Sequence, residues 1–544
     1  MTDEGRPTAG CRVVMLVDNG IDGDSRVQKA AASMAGHGWD VHLIGLAPGN
    51  KTSRFELGGA TAYRRVVKNW PGLRPLRQRL AGLRFPFSYA SLAKAELEWE
   101  RRRVIRTELA QRRLHAELRA EGRGGLRGGL PFLAHRARAK ARVRWLRFRL
   151  EQTRGMAEAQ KARPDGRLER FEAAYWKLML GDRSWRKLDP WSLRFDLAFA
   201  PLIDQLKPDL IHVHDYRMIG VGVRAAARAR VKGRKVPVVY DAHEFLPGVK
   251  PRNRKWQVAQ IGHEREYISY ADAVVTVSPR IAELLVESHG LAELPAVVLN
   301  SPPRPDPTRG DWATPEGFRD VRAACGLDAE TPLMVYCGGA SPQRGLHLMV
   351  EALGLEPELH AAFVVNLTTG PYVESLLEQA ERLGAADRVH LMPYVPYDVL
   401  TTFLATADVG VHPLETGLVN HEVGLNTKFF EFMHAGLPIV ISDVKVMSEE
   451  VRRLGIGEVF RYGDAEGLAR GVRAVLDDRP GYTKRYAEPG FLDEFTWEVQ
   501  AARYDEIYRR LLAGGPESRV PATRADQSGA NQANQLSILT RTEV

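Results

Sequence analysis

Short apolar runs alternate with helical stretches along most of this chain, and they do so in two separate series. The first holds "CRVVMLV", "DVHLIGL", "PDLIHVHD", "VPVVYDAHE", "ADAVVTVS" and "PAVVLNS", with helix patterns between them, such as "SRVQKAAASMAGHG". The second holds "PLMVYCGG", "AAFVVNL", "RVHLMPYV", "ADVGVHPL" and the helix-plus-strand stretch "LNTKFFEFMHAGLPIVISD". Strands that are nearly continuous apolar runs, each followed by a helix, predict parallel sheets covered on both faces. The proline-rich "SPPRPDPTRGDWATPEG" interrupts the alternation and reads as a linker. The expected architecture is α/β: two doubly wound domains, residues 10–305 and 318–490, facing a central cleft. A helix over 491–513 should pack back on the first domain. The Ala/Ser/Gln/Asn-rich 514–544 should be a disordered tail.

Charge is unevenly spread. The whole chain is +10, but residues 64–195 hold roughly 34 Lys/Arg against about 13 Asp/Glu. This segment interrupts the first series and is helical in composition, with tryptophan and phenylalanine (Trp99, Phe132, Trp145, Phe148, Trp176, Trp185) interleaved with arginine. It reads as a mainly helical insertion. It is either a solvated excursion packed on its own domain or a cationic membrane-surface element; nothing in it matches a nucleic-acid-binding motif. Three scattered cysteines argue against a disulfide framework or a zinc knuckle. No targeting pattern opens the chain and no run of about 18 apolar residues occurs. The expected location is cytoplasmic, with peripheral attachment to the inner face of the cell membrane as one option.

Four constellations fall at carboxyl ends of predicted strands, where such sheets bind ligands. In "LNTKFFEFMHAGLPIVISD", Lys428 sits at the positive end of a helix and Glu431 among Phe429, Phe430, Phe432 and Met433. A cation there is unfavourable unless an anion lies close by. Glu431, one turn on, could accept from a sugar hydroxyl, and Asn426 or Thr427 could cap the helix. In "YCGGASPQRGL", Gly338 and Gly339 end a strand and Arg344 follows, so backbone and guanidinium could approach a phosphate. "HVHDYR" and "DAHE" place His212, His214, Asp215, His243 and Glu244 at the ends of two strands of the first domain. These suit polar active-site duty, structural roles or a metal. "NGIDGDSR" would line the same cleft, with Gly23, Asp24 and Arg26 as cap and surface residues or as acceptor-side groups.

Taken together, these stretches resemble the retaining nucleotide-sugar glycosyltransferases of the GT-B fold, the "group 1" or family 4-like enzymes built from two Rossmann-like domains. "GGASPQRGL" is similar to that family's "GRLxxEKG" loop, and "TKFFEFMHAGLPIVISD" to its "EAMAxGxPVVxSD" segment. "ADVGVHPLE", "DSRVQKAAASMAGHGWDVHLIGL" and "DLIHVHD" look like its remaining patterns. The resemblance implies that Arg344 and Lys428 hold a donor diphosphate and Glu431 the ribose. It also implies that Tyr394 and Val395 lie by the base and His214 by the reacting centre. Two positions depart. Gly339 stands where the family has arginine, and Val423 where it has a glutamate eight residues before Glu431. The implied activity is sugar transfer with retention from a nucleoside-diphosphate sugar to a glycan or lipid-linked acceptor. It would serve cell-envelope or exopolysaccharide assembly, with no cofactor, metal or nucleic acid. His214 and His243 are the candidate catalytic residues. A nucleotide-sugar 2-epimerase and a metal-dependent hydrolase using His212, His214 and Asp215 are the competing readings.

Overall fold

The computed structural model describes residues 10–68, 76–121, 129–160, 166–304, 313–314 and 317–513. Most of the predicted linker and the whole predicted tail (514–544) lie outside the described residues. Among those described, no helix is long and apolar enough to cross a membrane.

Two parallel α/β sheets form the larger of two compact units. The first comprises β1 (Arg12–Leu16), β2 (Asp40–Leu46), β3 (Ser53–Leu57), β4 (Ala60–Arg65), β5 (Leu210–His214), β6 (Val238–Ala242), β7 (Ala273–Thr276) and β8 (Ala296–Val297). Their order is β3-β4-β2-β1-β5-β6-β7-β8, all parallel except β3. The second comprises β9 (Leu333–Gly338), β10 (His360–Val365), β11 (Val389–Met392), β12 (Val409–His412), β13 (Ile439–Ser442) and β14 (Gly457–Phe460). Its order is β11-β10-β9-β12-β13-β14, all parallel. Strand order reverses between β1 and β5 in one sheet and between β9 and β12 in the other. Such switch points open a crevice at the carboxyl ends.

Apolar residues cover both faces of each sheet, which is why the strands read as continuous runs. In β1, Val14 and Leu16 face one core while Val13 and Met15 face the other. The helix Trp497–Leu512 belongs to that second core: Trp497, Ala501, Tyr504, Ile507 and Tyr508 pack with Val13, Met15 and Val27. Trp497 Nε1 donates to Ser33 Oγ at 2.9 Å, and Trp39 Nε1 to Asp505 Oδ1 at 2.8 Å.

The insertion is narrower than its charge suggested. Arg64 and Arg65 belong to β4, in a hairpin the charge count concealed. Ala60 and Ala62 are buried while Arg54 and Glu56 on the facing strand are exposed, and Gly58 and Gly59 turn the hairpin at φ of 54° and 87°. At the other end Trp185, Phe195 and Phe199 are buried in the first sheet's core. The separate unit is 69–179 with 252–255.

Within that unit the helices Leu92–Glu121 and Gly129–Gln160 pair along their length. Ala95, Ile105, Leu146 and Leu150 are buried. Phe85 lies so close to Gly155 that a Cβ there would come within 2.6 Å of the ring.

Candidate active site

A cavity of about 740 Å³ opens at the carboxyl ends of the two sheets, a size that suits a small organic ligand. The first sheet contributes the loop after β1 (Asn19, Asp22–Arg26), His243 and Glu244 after β6, and Asn300. The second contributes Gln343 and Arg344 after β9 and the stretch from Leu418 to Thr427.

Side chains of Asn420, Ser278 and Asn300 hydrogen-bond across the two sides. Asn420 exchanges two hydrogen bonds with the backbone of Phe245, at 2.9 and 3.1 Å. Ser278 Oγ donates to Val423 O at 2.7 Å. Asn300 Nδ2 donates to Thr427 Oγ1 at 2.6 Å. Val423 therefore meets the first-sheet side through its carbonyl, and its side chain packs on that core. Glu422 offers no substitute for the family glutamate: its two carboxylate oxygens accept from Gly417 N and Lys445 N.

The second-sheet side gathers positive charge. The helix Thr427–His434 starts at Asn426, whose side chain does not cap it. The Asn426 amide donates to His412 Nε2 at 2.7 Å instead, leaving first-turn N–H groups without a side-chain acceptor. Lys428 extends past Gly338 with its Nζ 5.6 Å from the Tyr336 ring centroid. Gly338 has φ of 116°, and a Cβ there would come within 2.6 Å of Lys428 Nζ. Arg344 occupies the turn before Gly345, which at φ of 67° admits the close backbone of Pro413. Neither Arg344 nor Lys428 makes an ion pair among the described residues. Burial lowers the pKa of Lys428, and the neighbouring Arg344 lowers it further. An anion between them would relieve that repulsion.

Glu431 is 7 % exposed, at the foot of this group. It accepts from Cys337 Sγ at 3.3 Å. Burial raises its pKa against the opposing pull of Lys428 and Lys29. Lys29 arrives from the first sheet's side, donating to Ser301 O at 2.5 Å and Asn300 Oδ1 at 3.0 Å. Burial pushes Lys29 down to about 7, with Glu431 the main opposing charge. Gly338, Gly339, Lys428, Glu431, Tyr394 and Val395 are not among the residues that line this cavity; Val395 and Glu431 are buried, whereas Tyr394 is half exposed.

On the first-sheet side the sequence pointed to His214, His243, Asp215, Glu244, Gly23, Asp24 and Arg26. Of these, Gly23, Asp24, Arg26, His243 and Glu244 line the cavity. His214 is fully buried and does not. Asp215 caps the following helix at φ of 67°, accepting from Tyr216 N at 2.6 Å. Burial, with Asp18 beside it, raises its carboxyl to about 7. Asp24 caps the helix Ser25–Gly36 and accepts from Asn19 Nδ2 at 2.7 Å. Arg26 turns its guanidinium into the floor rather than into the cleft.

The organising residue there is one that sequence reasoning passed over, Asp241. Arg26 grips it with two bonds of 2.8 Å, and Tyr504 Oη donates to it at 2.7 Å. His214 Nδ1 lies at 3.3 Å and His243 Nε2 at 3.4 Å. His212, its ring 4.1 Å from that of His214, meets Tyr508 Oη at 2.6 Å. Burial opposes charge on Asp241, but Arg26 above all holds the carboxyl well below its usual range. Burial likewise disfavours the His243 cation, yet Asp241 outweighs it and pushes the imidazole up to about 9. Burial lowers the pKa of His212 and His214. His212, His214 and Asp241 are close enough to share a metal ion, but the Arg26 guanidinium already occupies the carboxylate. A clue stood in "VPVVYDAHE": a carboxylate inside an apolar strand is the same anomaly that marked Glu431.

Two switch-point crevices, a cationic pocket on one side and histidines on the other define a two-domain enzyme of the GT-B class acting on a phosphorylated substrate. Family models match over residues 162–301 (Glycosyltransferase Family 4) and 318–490 (Glycosyl transferases group 1), together more than half the chain. The chain belongs to this family of retaining glycosyltransferases, which use nucleoside-diphosphate sugars. It is similar to the GDP-mannose-dependent alpha-(1-6)-phosphatidylinositol monomannoside mannosyltransferase of Mycobacterium tuberculosis, 28 % identical over 57 % of this chain and 80 % of that one. It is also similar to the D-inositol 3-phosphate glycosyltransferase of Nocardia farcinica, 26 % identical over 57 % and 72 %. Among solved structures its fold matches sucrose-phosphate synthase from Thermosynechococcus elongatus, with TM-score 0.56, 14 % identity and coverage of 93 % and 100 %. It also matches HepE of Anabaena in complex with UDP and glucose, with TM-score 0.52, 15 % identity and coverage of 92 % and 99 %.

Proposed function

We propose that this enzyme transfers a hexose from a nucleoside-diphosphate sugar to a hydroxyl of a lipid-linked or glycan acceptor in cell-envelope or exopolysaccharide assembly. The observation that carries the donor half is the pair Arg344 and Lys428. They are two cations that form no ion pair among the described residues, beside a glycine that leaves room for Lys428 and a helix end with no side-chain cap. As the glycosidic bond breaks, charge grows on the diphosphate. Arg344, Lys428 and the helix N–H groups stabilise it electrostatically. Glu431 accepts from the ribose, and Tyr394 and Val395 flank the base. On the other side His243, held as a cation over Asp241, donates to the sugar or the acceptor. Asp24 and Glu244 line the acceptor's approach. The acceptor hydroxyl attacks from the face the diphosphate leaves and passes its proton to the departing phosphate oxygen, which retains the anomeric configuration. The curated relatives named above, whose names include a phosphatidylinositol mannoside and an inositol phosphate enzyme, favour a lipid or polyol acceptor.

A thermal-shift panel of UDP-, GDP- and ADP-sugars finds the donor. A ligand at about 100 times its Kd stabilises by roughly 2.7 kcal/mol. With that donor, release of free nucleoside diphosphate should depend on acceptor. Arg344→Ala should lower kcat/KM by about 10²–10³-fold. Formation of an epimerised nucleotide sugar without acceptor would overturn the proposal in favour of a 2-epimerase.

A further inference from the structure

Outside the cleft, the unusual surface belongs to the helical unit. From Gly129 to Leu150 the chain has seven Lys/Arg and no Asp/Glu. Arg136, Arg138, Lys140, Arg142 and Arg144 are all exposed, and none makes an ion pair among the described residues. Elsewhere on these helices exposed arginines do find partners, as Arg113 does with Glu117 and Arg147 with Glu151. Among the described residues, the cations from 136 to 144 are therefore left unneutralised.

Among them stand three exposed aromatic rings. Trp145 is 47 % exposed, Phe87 50 % and Phe148 38 %. They form one cluster with centroid separations of 5.5, 5.6 and 5.9 Å. Arg149 ties Phe87 to the helix by donating to its carbonyl at 2.9 Å. Trp145 and Phe148 lie about 60° apart around the helix, with Arg144 on one side and Arg138 and Arg142 on the other. Leu146 and Leu150 point the opposite way, into the unit. An aromatic ridge flanked by cations, on a helix about 48 Å long, matches a layer with phosphates at its surface and hydrocarbon just below. Tryptophan and phenylalanine enter the headgroup boundary while arginines reach the phosphates.

We propose that the Phe87–Trp145–Phe148 ridge and the cations from Arg136 to Arg144 dock this enzyme on an anionic bilayer surface. This deepens the reading of a lipid-linked acceptor and rests on it. Nucleic acid shares the phosphate charge, but the three rings pack on one another instead of standing apart as stacking platforms.

The test is flotation of the full chain with vesicles of phosphatidylcholine containing phosphatidylglycerol, against pure phosphatidylcholine, across a salt series. Binding should require the anionic lipid and weaken with salt. Arg138→Glu/Arg142→Glu/Arg144→Glu should reduce it by roughly tenfold or more. Phe87→Ser/Trp145→Ser/Phe148→Ser should reduce it too and leave a salt-sensitive remnant. The charge-reversal variant alters only exposed, unpaired side chains, so its result stands even if the aromatic variant misfolds. Equal binding to neutral vesicles, no binding by the wild type, or displacement of vesicles by single-stranded RNA would overturn the proposal. Nucleotide-sugar binding is measured on the same preparations. If it persists while vesicle binding is absent, only the docking surface fails; if it too is absent, the donor reading fails.

Discussion

His243 should make the stability of this enzyme depend on pH in a defined window. Its imidazole sits 22 % exposed beside Asp241, with a folded-state pKa of about 9 against an ordinary 6.5. A group whose pKa rises on folding contributes all of its stability below the unfolded value. That contribution is lost as pH climbs through the folded value. The window is therefore pH 6.5 to about 9. At 1.36 kcal/mol per pKa unit the shift corresponds to at most about 3 kcal/mol. Solvent at the exposed edge reduces that figure. Lys29 acts oppositely over an overlapping range, because burial lowers it to about 7 and stability returns as the unfolded lysine also deprotonates towards 10.5. The quantity to measure is thus the difference between wild type and His243→Asn. Urea denaturation is followed from pH 6 to pH 10. The wild type should lose up to about 3 kcal/mol relative to the variant between the two ends. Parallel stability curves would refute the reasoning, as would an NMR titration of His243 with a midpoint near 6.5.

Four further outcomes are expected. Gly338→Ala places a methyl against Lys428 at a backbone angle alanine disfavours, so calorimetry with UDP and GDP should show about tenfold weaker binding. Glu431→Gln should cost about 1.5–3 kcal/mol in nucleoside-diphosphate affinity without loss of pyrophosphate affinity, since only the ribose contact changes. Tyr504→Phe removes one buried bond to a carboxylate and should lower unfolding free energy by about 1.5–3 kcal/mol in denaturant titration. EDTA should leave transfer activity unchanged, because Arg26 occupies the carboxylate a metal would need; activity restored only by added metal would contradict this.

Both sheets were legible in the linear chain because a doubly covered parallel strand is a local signal, a short apolar run followed by a helix. The residues proposed for the donor were partly legible for the same reason. Lys428 and Glu431 are misfits within their own helix, and Gly338 and Arg344 sit within one turn of their strand. The β3–β4 hairpin was not, because an edge hairpin with charged outer faces blends into a basic segment. Residue types alone could not separate His214 from His243. The structure buries one and turns the other to the cleft.

What the sequence by itself determined is the repeated strand–helix unit and the misfit charges Lys428 and Glu431 in one short helix, since both rest on neighbours a few residues apart. Only the tertiary structure decided the other half. Asp241 meets Arg26 across 215 residues and Tyr504 across 263. Phe245 meets Asn420 across 175. Contacts at such separations are chosen by how whole elements pack. The charge of His243 follows from them, because a buried imidazole stays protonated only where packing brings it a carboxylate.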